Sequence, residues 1–136
     1  MKRPPTDFEL IQAIWERYQD AFANYVEGAA ARDAKILVPI DLDELARHFD
    51  VDVDSVFGRL YYHLEPKYGR ETTTGARQVF FTPVAGSDKN CVNFPLLEAV
   101  LAGLWQQRRR ELWAIGTACV SLAIAIVSLV VSIVTA

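Results

Sequence analysis

Glu44 and His48 stand one helical turn apart, a spacing at which a carboxylate and an imidazole can share a metal ion or pass a proton. The pair lacks a further ligand. The other histidine, His63, and the two cysteines, Cys91 and Cys119, fall at no ligand spacing from it or from each other. Asp41 and Asp43 are near enough for paired-carboxylate chemistry, but acids in such places more often cap helices and close turns. No glycine-rich phosphate loop, nucleophile elbow or zinc-protease pattern occurs. The expectation is a protein that is not an enzyme and uses neither metal nor cofactor. Its polar side chains are then read as recognition surfaces.

Three such surfaces stand out. The first is acidic: Asp41, Asp43, Glu44 and Asp50, a face suited to a protein partner. The second is basic and thinner: Arg59, Lys67 and Arg77 with Ser55, Tyr62 and His63, to which Arg70 and Lys89 add phosphate-binding capacity. The third lies in an apolar tail, where Ala114, Ala118, Ser121, Ala125, Ser128, Ser132 and Thr135 recur at alternating intervals of 4 and 3. Overall charge weighs between the first two. The chain carries 14 Lys and Arg against 17 Asp and Glu, but residues 1–107 hold 11 against 16, a balance of −5. Phosphate neutralisation drives nucleic-acid binding, so an acidic domain disfavours it.

The elements that must position these residues follow from periodicity. Thr6 and Glu9 form a capping-box pattern, opening a helix from Asp7 to about Val26 with Gly28 past its end. Phe8, Ile11, Trp15, Tyr18, Phe22 and Tyr25 mark its expected core face. Residues 29–35 read as a connection, and Ile36 to Ile40 as a short strand that Pro39 restricts to a sheet edge. Asp41 caps a second helix with Leu42, Leu45 and Phe49 inward. After the turn Asp50-Val51-Asp52, a third helix is expected from Val53 or Asp54 to Glu65, ended by Pro66, with Val53, Phe57, Leu60 and Leu64 inward. Tyr68 to Ala76 suits a loop. Val79–Thr82 and Cys91–Phe94 flank a Gly-Ser-Asp turn as a hairpin, and Pro95 opens another helix.

The order helix, strand, helix, helix, strand, turn, strand over residues 7–94 resembles a winged helix-turn-helix domain. The short helices Asp41–Phe49 and Asp54–Leu64, followed by the Val79–Phe94 hairpin, carry the resemblance. It implies that the third helix reads a DNA major groove, with Ser55, Arg59, Tyr62 and His63 outward. The fold class is therefore α+β: a small winged-helix domain of three helices and a hairpin at 1–94, an amphipathic juxtamembrane helix at 95–111, and a membrane span at 112–136.

The span is read from Leu112 to Ala136, which contains no charged residue. At about 1.5 Å per residue it covers roughly 36 Å, against a hydrocarbon core of about 30 Å. Arg108, Arg109 and Arg110 precede it, with Trp113 at headgroup level. By the positive-inside rule the preceding domain is cytoplasmic, and nothing folded is expected beyond the bilayer. No apolar leader follows Lys2 and Arg3. The small-residue seam has a heptad period, which suits left-handed helix packing with another copy or another membrane protein. The expected function is a membrane-anchored winged-helix adaptor that binds a cytoplasmic protein and associates through its span. The alternatives are a membrane-tethered DNA-binding regulator and a membrane-disrupting effector controlled by the winged helix.

Overall fold

The computed structural model describes residues 3–27, 32 and 34–136. Gly28, expected to close the first helix, lies outside these residues, as does most of the 29–35 connection. The chain forms two compact units, Met1–Leu101 and Ala102–Ala136.

In the first unit, α1 (Asp7–Ala23) starts at Thr6, whose hydroxyl accepts the Glu9 N–H at 3.2 Å and donates to the Glu9 carboxylate at 3.0 Å. It ends at Asn24, short of the expected Val26. Its fully buried line is Leu10, Ile11 and Ile14. Of the expected aromatic stripe, only Ile11 is buried. The rings lie half-exposed beside that line and cover the edge of the core; Phe22, for example, stacks on Phe94 at 4.9 Å.

Next, β1 (Leu37–Pro39) lies at one edge of a three-stranded antiparallel sheet, with order β1-β5-β4. The missing N–H of Pro39 explains the edge position. Asp41 caps α2 (Leu42–Phe49) by accepting from the Asp43 and Glu44 amides, and the Tyr18 hydroxyl accepts the Asp41 N–H at 2.7 Å. Asp50 ends α2 in the left-handed region at φ 53°, and the Val51 N–H returns to the Ala46 carbonyl, closing a Schellman turn.

The third helix departs from expectation. It begins as α3 (Val53–Gly58), becomes a π-helical segment (Arg59–Leu64) and continues as α4 (Glu65–Tyr68). Pro66 does not end it. The widened turn lies immediately upstream, where a proline has no N–H and its ring presses on the carbonyl four residues back. The inward line is Val56, Leu60 and Leu64, with Val53 and Phe57 only half-buried. A repeat of four residues suits a helix wider than 3.6 per turn. The expected Tyr68–Ala76 loop is also partly ordered, as a hairpin of β2 (Arg70–Glu71) and β3 (Arg77–Gln78).

The larger hairpin pairs β4 (Phe81–Ala85) with β5 (Asp88–Asn93), and α5 (Phe94–Thr135) follows directly. Phe80 and Phe81 are consecutive and both buried, so the strand alternation breaks between them. The backbone bends there, and two buried polar side chains satisfy the bend. The Glu65 carboxylate accepts the Phe80 and Phe81 N–H groups at 2.6 and 2.8 Å. On the other side, the Asn93 amide donates to the Val79 carbonyl at 3.1 Å, and the Asn93 N–H to the Phe80 carbonyl at 2.9 Å. Arg77 closes the node by donating from Nε and Nη2 to the second Glu65 oxygen at 3.2 and 2.8 Å. Gly69 packs so tightly here that a Cβ would fall on this carboxylate and 2.6 Å from the Glu65 carbonyl.

Glu65→Ala strands two buried amides and an arginine, so it is expected to destabilise the first unit by about 3–5 kcal/mol. Hydrogen exchange of the full chain should show the Phe80 and Phe81 amides losing protection, and Glu65→Gln losing less. Unchanged exchange in Glu65→Ala would contradict the assignment.

Candidate interaction surface

The third helix places Arg59, His63 and Lys67 in a single row, because residues four apart are neighbours on a helix surface. All three meet one acid at the start of α1. Arg59 pairs with Asp7 Oδ1, while His63 Nε2 and Lys67 Nζ each lie 3.0 Å from Asp7 Oδ2. Burial alone would raise the Asp7 carboxyl, but the hydrogen bonds from His63 and Lys67 and the Arg59 charge more than offset it. The carboxyl is held below its ordinary value. Lys67 is raised in turn, chiefly by its bond to Asp7. Half of the candidate DNA-contacting set is thus engaged within the protein. Sequence periodicity missed Asp7, since its contacts lie more than fifty residues away.

The remaining members separate. Ser55 is exposed on α3, while Arg77 belongs to the Glu65 node. Tyr62 is 73% exposed and Tyr61 beside it 41%. An aromatic series leads outward from the core: Phe81 meets Phe57 edge-on at 5.9 Å, Phe57 stacks on Tyr61 at 5.4 Å, and Tyr61 meets Tyr62 edge-on at 5.1 Å. Tyr61, Tyr62 and Phe81 border a groove of about 510 Å³ between the third helix and β4.

The acidic candidates divide likewise. Asp41 is a cap, Asp50 the left-handed terminator of α2, and Glu44 accepts from Arg17 Nε at 3.2 Å. Asp52 caps α3 by accepting the Asp54 N–H at 2.8 Å. Asp43 and Asp54 remain exposed without an ion pair among the described residues. The Glu44–His48 pair gains no further ligand; no group of three or more potential metal ligands occurs among the described residues.

In the second unit, the helix is long and apolar enough to cross a membrane. Its side chains are exposed on every face, from Leu112 at 69% to Val134 at 76%. Trp113, beside Arg108–Arg110, is 70% exposed. Along the seam, the Thr135 hydroxyl donates to its own helix at the Val131 carbonyl, 2.7 Å away. Ala114, Ala118, Ser121, Ala125, Ser128 and Ser132 are exposed. No seryl hydroxyl of the seam is bonded among the described residues.

The Asp7 node makes stability depend on pH at both ends. Asp7 is lowered, so its contribution is complete above its ordinary 3.8 and is lost as pH falls through the folded value. Lys67 is raised, so its contribution is complete below 10.5 and is lost as pH climbs beyond it. Asp7→Asn is expected to cost about 1–2 kcal/mol at neutral pH and to flatten the acid limb, read by denaturation of the full chain across pH. An unaltered acid limb would contradict the node.

No family model matches the chain, and neither a curated protein nor a solved structure matches it.

Proposed function

We propose that this chain is a membrane-anchored adaptor: a winged-helix domain, held at the cytoplasmic face of a bilayer by its C-terminal helix, that binds a protein partner. The observation carrying this reading is the division of labour on the third helix. Arg59, His63 and Lys67 are engaged with Asp7, and the large hydrophobic side chains that the helix exposes are Tyr61 and Tyr62. Tyrosine supplies large contact area at low conformational cost and is enriched in protein interfaces. A DNA-reading helix would instead need those cations for phosphates.

The winged-helix assignment is supported by the element order and by the antiparallel sheet order β1-β5-β4. The span is supported by the charge-free run from Leu112 and by its all-round exposure, since an apolar rod of this length is not stable in water. Arg108–Arg110 orient it with the domain in the cytoplasm. Self-association along the Ser121–Ser128 seam would raise the local number of binding domains, so that weak individual contacts gain avidity.

The reading is tested with the full chain in lipid nanodiscs. Duplex DNA should not be retarded even at about 50 mM salt; retardation that falls steeply toward about 200 mM would establish the regulator instead. In a membrane two-hybrid assay, Ser121→Leu with Ser128→Leu should abolish self-association while insertion persists. Unchanged association removes the seam.

A further inference from the structure

We propose that the face of α5 carrying Arg109 and Gly116 binds a glycerophospholipid of net negative charge, with its phosphate on Arg109 and an acyl chain in the notch at Gly116. This rests on the bilayer placement of the adaptor reading and names the lipid class that the span selects. Trp105, Arg109 and Trp113 follow at intervals of four, which puts them on one face of the helix, and Gly116 continues that face three residues on. All four are exposed. The arginine thus stands between two tryptophans, residues that settle at headgroup level. Past the second tryptophan the face falls away: a Cβ on Gly116 would meet nothing within 4 Å. The result is an open notch of about 510 Å³, walled by Leu112, Trp113 and Val120. Thr117 also borders it, but its hydroxyl donates to the Trp113 carbonyl at 2.9 Å, which leaves its methyl group to the notch.

Charge selects the headgroup. Residues 102–136 hold three arginines and a single acid, Glu111. Glu111 is two residues from Arg109, hence about 160° around the helix, and it accepts from Gln107 at 3.3 Å. The Arg109 face therefore keeps its positive charge. A guanidinium suits phosphate because its paired N–H groups match two phosphate oxygens. Arg109 stands about 10 Å along the axis from Gly116, so the cation lies at the interface and the notch at the start of the hydrocarbon. A free phosphate would satisfy the first and leave the second empty. A phospholipid fills both.

A second helix fits this face less well. Close approach of two helices in lipid needs small residues one turn apart, and one turn either side of Gly116 stand Leu112 and Val120. A flexible acyl chain has no such requirement. The small-residue seam lies elsewhere: Ala114 and Ala118 are each two residues from Gly116, about 160° around the helix. Lipid and helix partner can then be bound together on different faces.

The test places the full chain in phosphatidylcholine vesicles with equal mole fractions of phosphatidylglycerol or phosphatidylcholine brominated on its acyl chains. Tryptophan quenching gives the relative association of the two, with Trp105 and Trp113 as reporters at the site. The anionic lipid is expected to be favoured about fivefold, the size of one cation's attraction at an anionic surface. Arg109→Gln should bring the ratio close to parity and Arg109→Lys should retain part of it; Arg108 and Arg110 preserve orientation in both. Gly116→Leu should lower the ratio as well, because the chain can no longer seat below the arginine. Equal quenching by the two lipids, or a preference that survives either Arg109→Gln or Gly116→Leu, overturns the inference and leaves the adaptor reading in place. Quenching by neither lipid puts the helix outside the bilayer and overturns both.

Discussion

The Glu65 carboxylate is the interaction on which the first unit depends. It sits where the third helix, the β2–β3 hairpin and the entry to β4 converge, and each of its oxygens accepts two hydrogen bonds. A charge this buried is tolerated because it is fully satisfied. With Asn93 serving the carbonyls of the same bend, the chain can bury Phe80 and Phe81 in succession and still leave no broken backbone bond there. That bend sets the position of β4 against the third helix. The tyrosine-walled groove exists because of it.

Asp7 has a comparable role on the opposite side of the third helix. One carboxylate gathers an arginine, a histidine and a lysine, and so ties the start of α1 to a helix more than fifty residues later. The consequence for recognition is direct. Basic side chains that could contact a phosphate are held on one acid, and Tyr61 and Tyr62 are the large hydrophobic side chains the helix exposes. The two nodes together make the third helix an aromatic presenter braced on both flanks by acids.

Much of this architecture was legible in the residues. Capping at Thr6 and Asp41 follows from short polar side chains that accept from free amides, and the edge position of β1 follows from Pro39. The passage of the helix through Pro66 was not legible, because a π-helical turn leaves no periodic signature in so short a segment. The ordering of 70–78 escaped for a related reason: its strands are two residues each and polar, held by the Glu65–Arg77 contact rather than by an apolar alternation. Of the interaction surface, the candidate residues were visible but their partners were not. Arg59, His63 and Lys67 read as unpaired until Asp7 is brought to them by the tertiary fold. Asp50 and Glu44 likewise read as a recognition face until a left-handed turn and Arg17 account for them.

The functional account requires that the charge-free helix lie in a bilayer. Cys119 provides an internal reporter, since it sits about 10 Å along the helix from Leu112 and the other thiol, Cys91, is buried in the first unit. The most direct measurement is labelling of the full chain in sealed vesicles with a membrane-impermeant maleimide, applied from either side. The account predicts that Cys119 stays unmodified until detergent is added and then reacts. Modification of Cys119 in intact vesicles would contradict it.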